Sequence, residues 1–389
     1  MKICACIAEY NPFHLGHLRH LNYIKEELKA DNIIVVMSGN FTQRGEMAVM
    51  NKYKRAKHAI LSGADIVIEL PTVFATANAE IFAKGGINLI NSLGIVDSVC
   101  FGVESGDKQS YLSLAKEMNN ESKEFKTALK TALDNGISLA KAKFMAVKSI
   151  GGCFDEKLIS SPNNILGLEY TKALLKLKSD IQIEPMIREG NHNDTTFKKG
   201  LTSATSIRSV IKSGKISKLK SSLPSYVYKD ITDYPFASDK MFITKLITSS
   251  ADDLAKITDC TEGLENRIKA LLKDNKNIDT LVEKISTKRY TSTRIRRIIT
   301  ANLLGITDSF VKECLNEDLY CKVLAVKNDS KDIISTLNLT SKIPLIMRKS
   351  DTLRLKKTAQ KSFEKDVLAN ELYNLAMGEK SNENQTIFV

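Results

Sequence analysis

Glu9-Tyr10-Asn11-Pro12-Phe13-His14-Leu15-Gly16-His17 is the stretch on which the reading of this chain turns. An apolar run, Lys2 to Ala8, precedes it, and a helical pattern from about Gly16 to Leu28 follows, so it lies at a strand-to-helix turn. Gly16 has no Cβ and lets the backbone come close to a ligand. The start of a helix offers unpaired N–H groups and a partial positive charge, which favour phosphate. His14 and His17, pinned at that terminus, can donate hydrogen bonds to phosphate oxygens. Nucleotidyl transfer needs positioning and stabilisation of charge on the α-phosphate and the departing pyrophosphate more than it needs a nucleophile. His14 and His17 are therefore the candidate catalytic pair. His20 follows within the same seven residues, but read singly, His20 and His58 are ordinary satisfied side chains. A zinc site at His14, His17 and His20 lacks a nearby acid or thiol at ligand spacing, so no metal site is assigned.

Outward from the turn, apolar runs alternate with helical patterns. Asn32 to Met37, Asp65 to Leu70 and Ser98 to Gly102 read as further strands, and Asn51 to Leu61 and Ala77 to Leu93 as helices. Strands that are apolar throughout and separated by helices predict an α/β fold: a doubly wound, Rossmann-like parallel sheet covered on both faces. Such sheets bind ligands outside the carboxyl ends of their strands. Lys108 to Ile150 is helical with breaks near Asn120 and Gly136. Asn164 is placed to cap a helix over Ile165 to Leu177. Ile181 to Arg188 is strand-like, and Ala204 to Lys212 is a short helix. Beyond Ile216, lysine-rich helical segments run to Leu304. Leu319 to Val326 and Ile343 to Met347 flank a helix around Ile333, a small βαβ element. A last helix covers Phe363 to Met377, and the tail Ser381 to Val389 is expected to be mobile. Two domains follow: 1–215, an ATP-binding catalytic unit, and 216–389, mainly helical.

The 389 residues are 43% hydrophobic and 26% charged, values of a globular protein. No apolar run reaches membrane-spanning length, and the N-terminus lacks the long apolar core of a signal peptide, so a cytoplasmic location is expected. The seven cysteines are scattered, without a CxxC pair, and read as free, mostly buried thiols. The net charge of +12 favours polyanionic partners such as ATP or RNA. Lys198 to Lys220 holds seven Lys/Arg and no acid. Thr287 to Arg297 adds Lys288, Arg289, Arg294, Arg296 and Arg297 around Tyr290, again without an acid. Guanidinium groups beside an aromatic suit phosphates and an unpaired base, so Lys288, Arg289, Tyr290, Arg294, Arg296 and Arg297 are candidate RNA contacts.

The opening stretch resembles the HxGH signature of the class I nucleotidyltransferase superfamily. The longer strings AEYNPFHLGH (8–17), MSGNFTQRGEMA (37–48), IELP (68–71), CFGVESGD (100–107), SPNNILGLEY (161–170), SATSIR (203–208), TKRYTSTRIRR (287–297) and LLGI (303–306) are more specific. Together they resemble the tRNA(Met) cytidine acetate ligase family over nearly the whole chain. That resemblance implies an ATP-dependent ligase that makes acetyl-adenylate from acetate, releases pyrophosphate, and acetylates N4 of the wobble cytidine of elongator tRNA(Met). It implies acetate, ATP and tRNA as partners, with ATP entering as its Mg2+ complex and no resident metal or prosthetic group.

The ATP site that the resemblance carries over comprises Ile7, Ala8, Glu9, Tyr10, Asn11, Pro12, Phe13, His14, Leu15, Gly16, His17, Leu18, Arg19 and His20, with Gly102, Asn164 and Arg188. Gly102 ends a strand at the rim. Asn164 can meet a base or ribose, or merely cap its helix. Arg188 also ends a strand and can bind a phosphate or form a surface ion pair. After Arg188 the chain reads EGNHND, without the tyrosine expected in this loop. In TSATSIR, which resembles a second phosphate motif, Thr205 and Ser206 start a helix and Arg208 aims at pyrophosphate. Ser38 to Glu46 reads either as a loop over the site, with Gln43 and Arg44 as contacts, or as a structural loop. Glu69 reads as a structural acceptor. A small-molecule nucleotidyltransferase acting on a phosphorylated metabolite without RNA explains HxGH equally well, though it does not need a long C-terminal part with basic clusters. A nucleotide- or RNA-binding protein that has lost catalysis is a second alternative, against which intact His14 and His17 argue.

Overall fold

The computed structural model describes residues 1–120, 122–137, 139–149, 155–188, 202–231, 238–380 and 385–389. Five parallel strands form the body of the sheet: β1 Ile3–Ala8, β2 Asn32–Ser38, β3 Ile66–Leu70, β4 Ser98–Val103 and β5 Gln182–Ile187. They lie in the order β3-β2-β1-β4-β5. Chain order reverses between β1 and β4, and in a doubly wound sheet the ligand crevice opens at that reversal.

The alternation of each strand explains why both its faces are apolar. Cys4, Cys6, Ile33, Val35, Met37 and Val67 point to one side, where they meet Leu21 and Ile24 of α1 (Leu15–Glu26) and Ala56, Ala59 and Ile60 of α2 (Lys52–Leu61). Ile3, Ala5, Ile34, Val36, Ile66 and Ile68 point to the other, against Phe82, Ala83, Ile87 and Ile90 of the Ala79–Leu93 helix. Six cysteines, Cys4, Cys6, Cys100, Cys260, Cys314 and Cys321, are free and buried; Cys153 lies outside the described residues.

The predicted βαβ element exists, but the sheet absorbs it. β6 (Cys321–Val326) pairs antiparallel with β3, and β7 (Leu345–Ile346) lies parallel to β6 after the Lys331–Thr340 helix. β3 would otherwise be an open edge, which proteins cover. One sheet therefore takes strands from both sides of position 216. The end of the chain corrects the expectation of a mobile tail. β8 (Ile387–Phe388) pairs with Ala325 and Val326, the half of β6 that the two-residue β7 leaves open. Between these strand segments lie helices, including Leu264–Leu272, Ile278–Ile285, Ser292–Leu304 and Asp308–Leu315. The last long helix runs over Lys357–Met377, six residues earlier than its apolar pattern implies. Among the described residues no helix is long and apolar enough to cross a membrane.

Candidate active site

His14 and His17 cap α1 reciprocally. His14 is the N-cap, and its Nδ1 accepts from Gly16 N at 3.0 Å, while His17 Nδ1 accepts from His14 N at 3.3 Å. Each ring thus accepts through Nδ1, which leaves the tautomeric proton on Nε2 when the ring is neutral. The two rings stack with centroids 3.7 Å apart. Tyr10 and Phe13 wall His17 at 4.8 and 5.6 Å, fixing its orientation. A Cβ at Gly16 would lie 2.9 Å from His14 Cε1, so this position must be glycine for the ring as well as for a ligand. Burial, reinforced by His14, Arg188, His20 and Arg208, drives the His17 pKa well below that of an ordinary imidazole. His17 is therefore a neutral donor in the free protein.

His20, one turn on, behaves differently. Its Nε2 meets Cys100 Sγ at 3.2 Å, and burial with the nearby Arg188 lowers its pKa to about 4. His58 pairs through Nε2 with Asp230 at 2.8 Å.

The other candidates converge from three elements. Gly102, in β4, lies under Arg188: a Cβ there would meet Arg188 Cδ at 2.9 Å. Arg188 N donates to Val103 O at 2.8 Å, which holds the residue after β5 on the rim of β4. Arg208, in the Ala204–Lys212 helix, is buried and donates through Nη1 to Asn11 O at 2.9 Å and through Nη2 to Thr205 Oγ1 at 3.3 Å. Ser203 is the N-cap of that helix and accepts from Ser206 N at 3.2 Å. Arg188 and Arg208 both depress the pKa of His17, which puts two guanidinium charges around the imidazole pair. The EGNHND stretch that follows Arg188, and Lys198 and Lys199, lie outside the described residues.

Asn164 does not cap its helix. The helix begins earlier, at Pro162, with Ser161 as N-cap, because proline suits the first turn. The Asn164 side chain is wholly buried and holds the loop after β4: Oδ1 accepts from Glu104 N at 2.8 Å, and Nδ2 donates to Ser105 Oγ and Lys157 O.

Arg55 carries no sequence signal, since it sits in the basic run KYKRAK of α2 like a surface residue. It is fully buried. Its guanidinium donates to Glu9 O at 2.6 Å, Ser38 O at 3.0 Å, Gly39 O and, through Nε, Met50 O at 2.9 Å. It thereby clamps the rim at the ends of β1 and β2. Burial lowers its pKa to about 10, so it stays charged.

The loop after β2 is built in, not loose. Gln43 N donates to Glu9 Oε1 at 2.7 Å on one side. On the other, Gly45, at φ +70°, packs against the backbone of Arg296 and Arg297, and Thr300 Oγ1 donates to Gly45 O at 2.9 Å. Glu69 is the structural acceptor, buried between Lys52 Nζ at 3.0 Å and Lys322 Nζ at 2.9 Å.

The candidate tRNA residues are free of acids only along the chain. Arg289 pairs with Glu262, Arg297 with Asp259 at 3.6 Å, and Arg296 with Asp279 at 2.5 Å and Glu46 at 3.6 Å. Arg294 donates to Asp259 O at 2.7 Å and stacks over Tyr290, whose hydroxyl donates to Glu262. Arg296 and Arg297 are largely buried, whereas Lys288 and Arg289 are exposed. Among the described residues no group of three or more His, Cys, Asp or Glu is placed to hold a metal ion.

Residues 1–386 match the family model described as HIGH Nucleotidyl Transferase. A tRNA(Met) cytidine acetate ligase of Clostridium novyi is 40% identical, with 91% of each chain covered. One from a Thermoanaerobacter species is 39% identical, covering 97% of this chain and 96% of the relative. The crystal structure of apo Thermotoga maritima TmcAL superposes with a TM-score of 0.94 at 29% identity, covering 100% of both chains. The same protein bound with alpha-thio ATP gives 0.91 at 27% identity, again over 100% of both. With these likenesses spanning the sheet, the HxGH turn and the C-terminal helices alike, the chain belongs to the tRNA(Met) cytidine acetate ligase family of HIGH nucleotidyltransferases.

Proposed function

We propose that this chain activates acetate with ATP and transfers the acetyl group to N4 of the wobble cytidine of elongator tRNA(Met). The observation that carries the reading is the donor pair at the switch point. Two stacked imidazoles accept backbone N–H groups through Nδ1, which leaves Nε2 as the donor, at a helix N-terminus flanked by Arg188 and Arg208. A carboxylate oxygen of acetate attacks the α-phosphorus, and the bond to pyrophosphate breaks. His14, His17 and the helix terminus neutralise charge that grows on the phosphates, Arg208 and the start of its helix face the departing pyrophosphate, and Arg188 covers Gly102. Acetyl-adenylate is a mixed anhydride, so the second step chiefly requires the cytidine amine to be set against its carbonyl. The amine attacks, AMP leaves, and one proton is lost to solvent.

Residues 1–215 supply the adenylation site, and 216–389 help to hold the RNA, with Lys288 and Arg289 exposed and Tyr290 half-buried beside them. Arg294, Arg296 and Arg297 fasten their helix to Asp259, Asp279 and Glu46. Purified protein incubated with ATP, labelled acetate and bulk tRNA should yield N4-acetylcytidine on nucleoside analysis. Pyrophosphate exchange stimulated by a phosphorylated metabolite and not by acetate would instead favour a small-molecule nucleotidyltransferase.

A further inference from the structure

The basic segment before Lys220 and the basic segment around Arg294 look alike in sequence but differ in the fold. Arg289, Arg296 and Arg297 of the second are matched with acids from the 259–279 region and with Glu46. Lys215, Lys218 and Lys220 are exposed, and none of the three forms an ion pair among the described residues. Unmatched lysines crowded within six residues repel one another, which an anionic partner relieves.

Their place in the fold gives that charge a direction. Lys218 and Lys220 lie on the turn Ile216–Ser221 and Lys215 immediately precedes it; the turn follows the Ala204–Lys212 helix that presents Arg208 to the opening motif. Ser222, next to that turn, accepts from Leu15 N at 3.3 Å, in the first turn of α1. Lys220 therefore lies two residues from the backbone contact to the start of α1, the turn that carries the imidazole pair. Lys212, at the end of the preceding helix, reaches Asp279 at 3.9 Å, and Asp279 also holds Arg296. The segment 212–222 thus touches both the start of α1 and the C-terminal helices.

We infer that Lys215, Lys218 and Lys220 form the phosphodiester-binding surface that holds tRNA across the mouth of the nucleotide site. This rests on the proposed RNA substrate and assigns the surface that receives it. Lysine suits the task as a flexible point charge that follows a backbone without reading bases. Phosphates held here bring the acceptor nucleotide to the crevice from the side of α1.

The test is tRNA binding as a function of salt, using an elongator tRNA(Met) transcript and the full chain. Replacing all three lysines (Lys215→Ala, Lys218→Ala, Lys220→Ala) should weaken binding roughly 10-fold or more at low salt. It should also reduce the slope of log affinity against log salt by about 2 to 3, one counterion release per lost contact. The corresponding triple Lys→Arg variant should keep the wild-type slope, and both variants should melt like wild type because all three positions are exposed. An alanine variant with unchanged affinity and slope overturns this assignment alone, provided wild-type protein still binds the transcript and acetylates it. A wild-type protein that neither binds nor acetylates the transcript overturns the RNA reading itself.

Discussion

The Nδ1 atoms of His14 and His17 accept backbone N–H groups, so each imidazole is both a structural cap and a donor. The capping role takes one nitrogen of each ring and leaves the other for the proposed phosphate contact. Replacing His17 with Ala should lower acetyl-adenylate formation about 10²- to 10³-fold, the cost of one well-placed donor. Binding of tRNA should change less than twofold; loss of both together, in a variant that still melts like wild type, would count against the division of labour between the adenylation site and the RNA-holding part. Protonation gives a second expectation. Burial depresses His17 and His20, the latter to about 4, so the unfolded chain binds protons near pH 6.5 that the folded chain refuses. Stability is accordingly complete above about pH 6.5 and declines as pH falls toward the folded value. Urea midpoints measured between pH 7 and 4.5 should decline, and His20→Gln should flatten part of that decline. A His20→Gln profile parallel to wild type rules out the assignment to His20.

At the scale of the element, the rim between β1 and β2 is held by a side chain rather than by strand pairing. Arg55 satisfies carbonyls of Glu9, Ser38, Gly39 and Met50 from inside the protein. A buried carbonyl left without a donor costs roughly 1–3 kcal/mol, so Arg55→Met should destabilise the chain by about 3 kcal/mol by urea unfolding. Loss below about 1 kcal/mol would mean that water replaces the guanidinium. The loop after β2 depends on a different constraint. Gly45 has φ +70° and abuts the Arg296–Arg297 backbone, so Gly45→Ala adds both strain and a clash. That variant should release the loop from the Ser292–Leu304 helix, and faster proteolysis between residues 40 and 48 measures it.

Across the whole molecule, a buried charge cluster ties early and late sequence together. Glu69 on β3 lies between Lys52 on α2 and Lys322 on β6. Against the opposing cost of burial, the two ammonium groups hold its carboxyl below the usual range. Asp366, on the last helix, accepts from Thr72 N and Tyr320 Oη at 2.7 Å each, and burial with the Glu69 charge raises it to about 6. Glu69→Gln leaves two buried ammonium groups without their carboxylate and should cost about 3–5 kcal/mol. Adding Lys322→Met to that variant should recover part of the loss; a further drop would show that Lys322 is held by its packing and not by the charge.

The strands, their order of appearance, the turn after β1 and the clustering of His14 and His17 were legible because periodicity and helix-start chemistry are local. Length and apolar pattern placed β6 and β7 but not their membership of the first sheet, since strand pairing over some 250 residues leaves no local trace. The tail was misjudged for the same reason: Ile387 and Phe388 need the open half of β6 to become a strand. Arg55 looked like any basic residue on a helix, and the Arg289–Arg297 cluster looked unpaired, because a guanidinium's partner is chosen in space. By itself the sequence determined the fold class and the strand-to-helix turn that carries His14 and His17. Only the tertiary structure decided which charges are neutralised inside the protein and which remain on its surface, because ion pairing depends on distances that the folded chain alone brings below 4 Å.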